Sequence, residues 1–470
     1  MLSISQILGI AITLVLILSV GVIAGKNVKS SKDFAIGGGK AAFYMVAGSI
    51  IGTLVGGSST VATSQLAFTN GFSALWFTLG AGIGCLLLGL FFAKPLRKNG
   101  SGTLQEMIKK EYGETAGVLS SVLGILGIFL NIVAQLLSAM ALLSAILPMN
   151  TLLCGLVVAL LMTCYILFGG MRGAGAIGVI KTVMLYICAV CCLVIILKTT
   201  GGYADLVSTL PEDMNIGLFS RGFGTDGGAA CSLILGVLST QSYAQSILSA
   251  KNDRAAVSGS LLSAVLIPPI GIAGVLVGLF MKSRFPQMTA SRSFPNFLMD
   301  SFPGFVSGVF LAVLLIAIIG TGAGLTLGIT SVVKNNILSR LLPDLSEKKK
   351  LLCDRIIVVA VLLAAVVFTQ GGFQSIILQW SFMSMGLRGA VLFLPLCGAL
   401  FLPGRIAPKY AVCSIVCGPL LTLLGKLLLP GLPFDPLFLG VAANVLIMAA
   451  GLLQGKKQCP PSGQAKGPLF

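Results

Sequence analysis

The chain has 470 residues, of which 56% are hydrophobic and 10% charged, with a formal net charge of +17. Soluble domains carry about 25% charged residues, so there is too little charge here to cover a water-facing surface, and a polytopic membrane protein is the class that remains. The absence of histidine removes Ser-His-Asp and Cys-His catalysis, histidine metal sites and histidine proton relays.

Thirteen apolar stretches are long enough to cross about 30 Å of hydrocarbon. They fall at 5–25, 42–68, 73–93, 117–147, 151–170, 176–198, 227–250, 257–281, 303–333, 353–369, 376–402, 410–429 and 435–454. The first lacks a basic leader and is followed by Lys26, so it reads as a retained helix that starts outside. Between the third and fourth, Thr103–Gly113 has the pattern of a short amphipathic helix. With the N-terminus outside and the C-terminus in the cytoplasm, twenty-three Lys and Arg lie in inner loops and five in outer ones. The positive-inside rule selects that orientation, in the plasma or inner membrane. It also accounts for the positive charge as a membrane rim, with no nucleic-acid partner. Most of the twelve cysteines sit inside apolar stretches and read as small buried residues. None of the four Gly-Lys pairs is followed by Ser or Thr, so no ATP-binding phosphate loop is present.

All fourteen acids fall in loops or at span ends, so no carboxylate relay for protons crosses the membrane. Three basic residues lie within spans: Lys181, Arg388 and Lys426. Lys426 is near an outer end, where its ammonium can snorkel to water. Lys181 and Arg388 lie deeper, where a charge costs about 2.5–3.5 kcal/mol on insertion scales and is usually retained for function. Three spans carry clustered Gly, Ser and Thr: Gly48–Thr60, Ser239–Tyr243 and Gly320–Gly328. Such clusters either pack helices closely or unwind them, freeing carbonyls that must line a cavity or bind something. Hydroxyls and a glutamine beside the glycines favour unwound helices around a site.

In this order and spacing the motifs resemble the sodium:solute symporter family. They are Ser31–Gly38, Ser49–Gly57, Gly71–Trp76, Ala93–Arg97, Thr103–Gly113, Gly169–Arg172, Gln241 with Gln245, Ala250-Lys251 and Phe297–Gly308. The resemblance implies an all-α membrane protein of about 13 transmembrane helices with a leucine-transporter-like core. Two five-helix inverted repeats, 42–198 and 227–402, would surround a mid-membrane site and work by alternating access. Residues 1–41 would form a peripheral first helix and cytoplasmic loop. An extracellular loop would run over 199–226, two peripheral helices over 403–454, and a cytoplasmic tail over 455–470. The implied sodium site is Gly52, Val55, Ala317, Gly320 and Thr321, with Na+ as coupling ion and no other cofactor. The implied solute contacts are Ser58, Ser59, Gln241 and Arg388. The partners are a small polar solute and the bilayer; oligomeric state is open.

The sequence departs from the family around the cation site. Gly320 stands where a ligating hydroxyl is expected, and Ala323 where many members have Asp. A Thr-Asp-x-x-Gln pattern is replaced by Ile177-Gly178-Val179-Ile180-Lys181. An acid is lost and a lysine appears one turn away on the same face. Two readings follow: ordinary sodium coupling, or a sodium-independent or proton-coupled carrier in which the Lys181 ammonium takes the place of the ion. Arg388 either meets an anionic group of the solute or bonds the exposed backbone of a broken helix. A sensor or a channel on the same scaffold is the alternative from another class. An enzyme is not expected.

Overall fold

The computed structural model describes residues 2–25, 39–147, 149–212, 214–338, 346–370, 377–429 and 431–454. The Ser31–Gly38 motif and the tail 455–470 lie outside them, as do the side chains of 167–176, which include Arg172. The described residues form helices with no strand; the one isolated bridge pairs Ala41 with Ala250. Nine helical stretches are long and apolar enough to span a membrane, and four shorter apolar helices accompany them among the described residues. The protein is thus a multi-pass membrane protein. Its two ends are named here by charge: the basic end carries Lys94, Arg97, Lys98, Lys109, Lys110, Lys251 and Arg254, and the charge-poor end lies opposite.

α1 (Ile4–Gly25) lies against α7 (Thr151–Thr200) and α11 (Gly304–Val332). Gly308 has the backbone of Gln6 where a Cβ would stand, so α1 and α11 meet almost backbone to backbone. The second apolar stretch is split into α2 (Phe43–Leu54) and α3 (Val61–Asn70). The chain reverses at Gly71, whose φ of 62° suits glycine. It then enters α4 (Trp76–Leu87), which runs through a π-turn at Leu88–Phe92 into Ala93–Asn99. The amphipathic α5 (Leu104–Tyr112) starts with Thr103 accepting the Glu106 N–H as an N-cap at 3.0 Å. Its apolar side is buried and it leads into α6 (Glu114–Ile146).

The second split is between α8 (Phe223–Leu238) and α9 (Gln241–Leu248). α10 (Asp253–Arg284), α11, α12 (Glu347–Thr369) and α13 (Ile377–Phe401) complete the body. α14 (Pro408–Leu428) and α15 (Leu437–Gln454) form a pair against α13.

Two expectations are corrected. The glycine cluster at 320–328 does not unwind: α11 is continuous from Gly304 to Val332. Its glycines admit neighbours instead. A Cβ on Gly322 would lie 2.5 Å from Met162 Cε, and one on Gly324 would collide with Thr53. Small residues here serve close packing. The stretches 151–170 and 176–198 are joined in one hydrogen-bonded helix, α7. No proline interrupts the ladder from 151 to 200, and glycines alone do not remove a donor. Tyr165 and Lys181 nevertheless both end beside Gly320, although a straight helix would separate their backbones by about 24 Å, so the path of α7 bends between them.

Candidate functional site

The split between α2 and α3 is built by hydroxyls competing with the helix ladder. Val55 turns to an extended conformation (φ −87°, ψ 100°). The Gly56 N–H, which would continue the helix onto Gly52 O, instead donates to Ser59 Oγ at 2.9 Å. Ser59 and Thr60 donate back to Gly56 O at 3.1 and 2.8 Å. Gly56 and Gly57 have no room for a Cβ, because Thr321, Gln135 and Ser138 press against them. The outcome is a carbonyl, Gly52 O, released from its helix partner at the carboxyl end of α2, where the helix dipole is negative.

Lys181 points into that release. Its ammonium donates to Gly52 O at 2.7 Å, to Ala317 O at 3.1 Å and toward Thr321 Oγ1 at 3.4 Å. The Thr321 hydroxyl also donates to Gly52 O at 3.2 Å. The lysine is 1% exposed. A Cβ on Gly320 would stand 3.6 Å from Lys181 Nζ, and Gly178 rests on the Gly48 carbonyl, which lets α7 approach α2 closely enough for the lysine to reach. Four expected cation-site residues, Gly52, Ala317, Thr321 and Lys181, are thus in mutual contact, with Gly320 adjoining. Val55 is the cap residue of the split, and its own N–H donates to Ile51 O at 2.7 Å. No group of three or more Cys, Asp or Glu able to hold a metal occurs among the described residues. The oxygens offered to a cation are carbonyls and a hydroxyl, and the ammonium already uses them. A sodium ion and the Lys181 ammonium would compete for the same atoms.

On the other side of the split, the Ser58 hydroxyl meets Ser381 Oγ at 2.6 Å and accepts from Gln135 Nε2 at 2.8 Å. Gln135 Oε1 accepts the Gly57 N–H at 2.8 Å, and its amide also donates to Asn131 Oδ1 at 3.1 Å. This buried polar group joins α6, α13 and the split. Sequence reasoning missed Gln135, Asn131 and Ser381. Two amides four residues apart in an otherwise apolar span were a readable signal. Ser59 is turned onto its own backbone, as described.

Gln241 and Arg388 serve the second split. Gln241 Oε1 accepts the Leu104 N–H at 2.9 Å and its Nε2 donates to Gly102 O at 3.2 Å, tying α9 to the start of α5. Arg388 is fully buried. It donates to Thr240 Oγ1 at 2.6 Å, and to Ser384 through both its carbonyl (3.1 Å) and its hydroxyl (3.0 Å). Its stem fills the space left by Gly127 of α6. The guanidinium therefore fastens the split helix to α13.

Both ends of the bundle are latched. At the basic end, Ala41 donates to Ser249 O and Lys251 to Ala41 O, each at 2.9 Å, and Ser49 meets Ser246 at 2.8 Å. Arg97 adds an ion pair to Asp253 at 2.7 Å and a bond to Ala250 O at 2.7 Å. At the charge-poor end, Phe382 packs edge-on against Phe77, with ring centres 5.9 Å apart, under the Arg221 guanidinium.

The sodium:solute symporter family model matches residues 34–404. Among similar solved structures is a substrate-bound, outward-open Na+-coupled sialic acid symporter. It superposes with a TM-score of 0.82 over 96% of this chain and 97% of its own, at 17% identity. A nucleobase-cation-symport-1 family transporter, in a closed conformation with bromovinylhydantoin bound, gives 0.58 over 88% and 93%, at 11% identity. The manganese transporter of Eremococcus coleocola gives 0.55 over 88% and 95%, at 13% identity. At these identities the likeness is one of fold.

Proposed function

The chain belongs to the sodium:solute symporter family, and from that premise we propose that it is a sodium-independent member in which the Lys181 ammonium stands in for the coupling metal ion. It is a secondary active transporter of a small-molecule solute, not an enzyme. The observation that carries the finer reading is the pair of bonds from Lys181 Nζ to Gly52 O and Ala317 O.

A cation in this position joins the end of α2 to α11. That link holds one arrangement of the split helix against the rest of the bundle. In a sodium-coupled carrier the link comes and goes with the ion. A tethered ammonium makes it part of the protein, and a change in its protonation becomes the remaining way to break it. The solute, small and polar, would contact Ser58, Gln135 and Ser381 beside the first split. The two split helices belong to two inverted repeats, 42–198 and 227–402, which alternate access between the membrane faces. The basic end faces the cytoplasm of a plasma or inner membrane by the positive-inside rule.

Counterflow and uptake of the native solute in proteoliposomes test this reading. A thermal-shift screen over amino acids, carboxylates, sugars and quaternary amines would first identify the solute. Full uptake with sodium replaced by choline, and stimulation by an inward proton gradient, are the expected results. A strict sodium requirement overturns it in favour of ordinary sodium coupling. Absence of counterflow overturns the carrier itself.

A further inference from the structure

A file of polar and small side chains runs from the first split toward the basic end, in the groove between α6 and α13. On α6, Gln135, Asn131, Gly127, Gly124 and Gly117 recur every three, four or seven residues and share one face. On α13 the facing residues are Ser381, Ser384 and Arg388. The two helices run antiparallel here: Ser384 donates to Gly127 O, Gly127 also receives the Arg388 stem, and Gly124 meets Leu392. From Arg388 onward α5 and α9 cover the groove. Gln105 of α5 sits over Gly124, its Nε2 3.1 Å from where a Cβ would stand; the Tyr112 hydroxyl rests on Gly398 of α13; Tyr243 of α9 stands beside the Arg388 guanidinium. All three covering side chains are buried, yet neither atom of the Gln105 amide and neither tyrosine hydroxyl makes a hydrogen bond. On their other sides the same two helices are satisfied. Thr103, at the start of α5, accepts from Asn336 Nδ2 at 3.2 Å; on α9, Ser242 donates to Gly324 O at 3.0 Å and Gln245 Nε2 to Ser331 Oγ at 2.6 Å. The unmet polar groups therefore gather on the face turned to the groove.

We propose that the solute leaves the first split toward the basic end along this groove, under a cover formed by α5 and α9, and that Gln105, Tyr112 and Tyr243 become its wetted wall when the cover lifts. A buried polar group without a partner is costly, and it recovers that cost only where water or a polar solute reaches it. The closed groove is thus held against a standing penalty that opening relieves. Part of the cover is also lightly fastened. Ile108 and Tyr112 of α5 pack with Val391, Leu392 and Ile415 in a small apolar cluster of their own, separate from the main core, so α5 can lift without opening the body of the bundle. The route rests on the carrier reading above and names the side of the bundle that it uses.

The test uses the full chain, in detergent for melting and labelling and in proteoliposomes for transport. Gln105→Met keeps the length of the side chain and removes both unmet atoms. It is expected to melt about 1–3 °C above the parent, because the closed cover no longer carries their cost. For the same reason it is expected to slow counterflow of the solute that the thermal-shift screen returns by at least about fivefold. Tyr112→Phe removes one such atom and is expected to move both readouts the same way. Hydroxyl-radical labelling, read by mass spectrometry, is expected to mark Tyr112 and Tyr243 in the parent and to mark them less in Gln105→Met. It is expected to pass over Phe297, which is buried in the main core. Variants that melt below the parent, unchanged or faster counterflow in Gln105→Met, or tyrosines as unlabelled as Phe297 would overturn the proposal. Melting and labelling are read without transport. A dry groove in a protein that still shows counterflow overturns this route alone, whereas a parent without counterflow overturns the carrier reading.

Discussion

Truncating Lys181 to alanine should turn a sodium-indifferent protein into one that sodium stabilises. The lysine's ammonium makes two close bonds to carbonyls, 2.7 Å to Gly52 O and 3.1 Å to Ala317 O, at 1% exposure. Hydrogen bonds to a charged group contribute about 1.5–3 kcal/mol each, so the two together stabilise by about 3–6 kcal/mol. Those values are already net of the water each group gives up, so truncation should cost on the order of 3–6 kcal/mol, below most of the roughly 5–15 kcal/mol by which folded chains are stable. The variant should fold. Its cage then holds Gly52 O, Ala317 O and Thr321 Oγ1 with no cation among them. A sodium ion at about one hundred times its dissociation constant would restore about 2.7 kcal/mol. That amounts to a rise in melting temperature of about 3 °C, at roughly 1 °C per kcal/mol for an unfolding entropy of about 2.1 cal/mol/K per residue over a chain of this length. The assay is thermal unfolding of the purified protein in sodium chloride against choline chloride at equal ionic strength. The parent should show no difference and Lys181→Ala a sodium-dependent rise. An equal sodium shift in both proteins would mean that the ion binds elsewhere, and would refute the reasoning. So would a variant that ignores sodium, because the lysine and the ion would then not be interchangeable.

The remaining predictions concern the two splits. Gln135→Leu removes the acceptor of the Gly57 N–H and the donor to Ser58; an unpaired buried group of this kind costs about 1–3 kcal/mol, and melting temperature and counterflow rate should fall together. A variant with parental melting and parental counterflow would exclude Gln135 from the site. Arg388→Gln loosens the joint between α9 and α13, so amide hydrogen exchange over 239–248 should quicken while acidic solutes bind as before. Lost affinity for acidic solutes, with exchange unchanged, would instead place Arg388 on the solute.

How much of the site could be read beforehand depended on whether its chemistry was local. The split at 55–60 was legible, because adjacent Gly, Ser and Thr carry both the flexibility and the hydroxyls that compete with the ladder. The same argument misfired at 320–328. There the hydroxyls do not compete with the local ladder: Thr321, between Gly320 and Gly322, donates across to Gly52 O at 3.2 Å, and Thr326 bonds back within the helix to Gly322 O at 2.8 Å. Glycine without a competing local acceptor or donor leaves a helix intact and merely thins it. Lys181 was conspicuous as a charge where none belongs, and Arg388 likewise. What each charge touches was not readable, since Gly52 and Ala317 lie 129 and 136 residues from Lys181.

Composition alone settled that this chain lives in a bilayer: one residue in ten charged and no histidine leave neither a wettable surface nor the usual catalytic groups. Helical spans and their polar interruptions followed from local pattern, because a backbone in hydrocarbon must satisfy itself within a few residues. The pairing of Lys181 with the end of α2 and the Gln135 bridge across the first split belong to the tertiary structure. Each joins groups far apart in the chain, and in close-packed helices a contact is decided by which small residues let two backbones approach, as Gly178 does on Gly48 and Gly56 on Thr321.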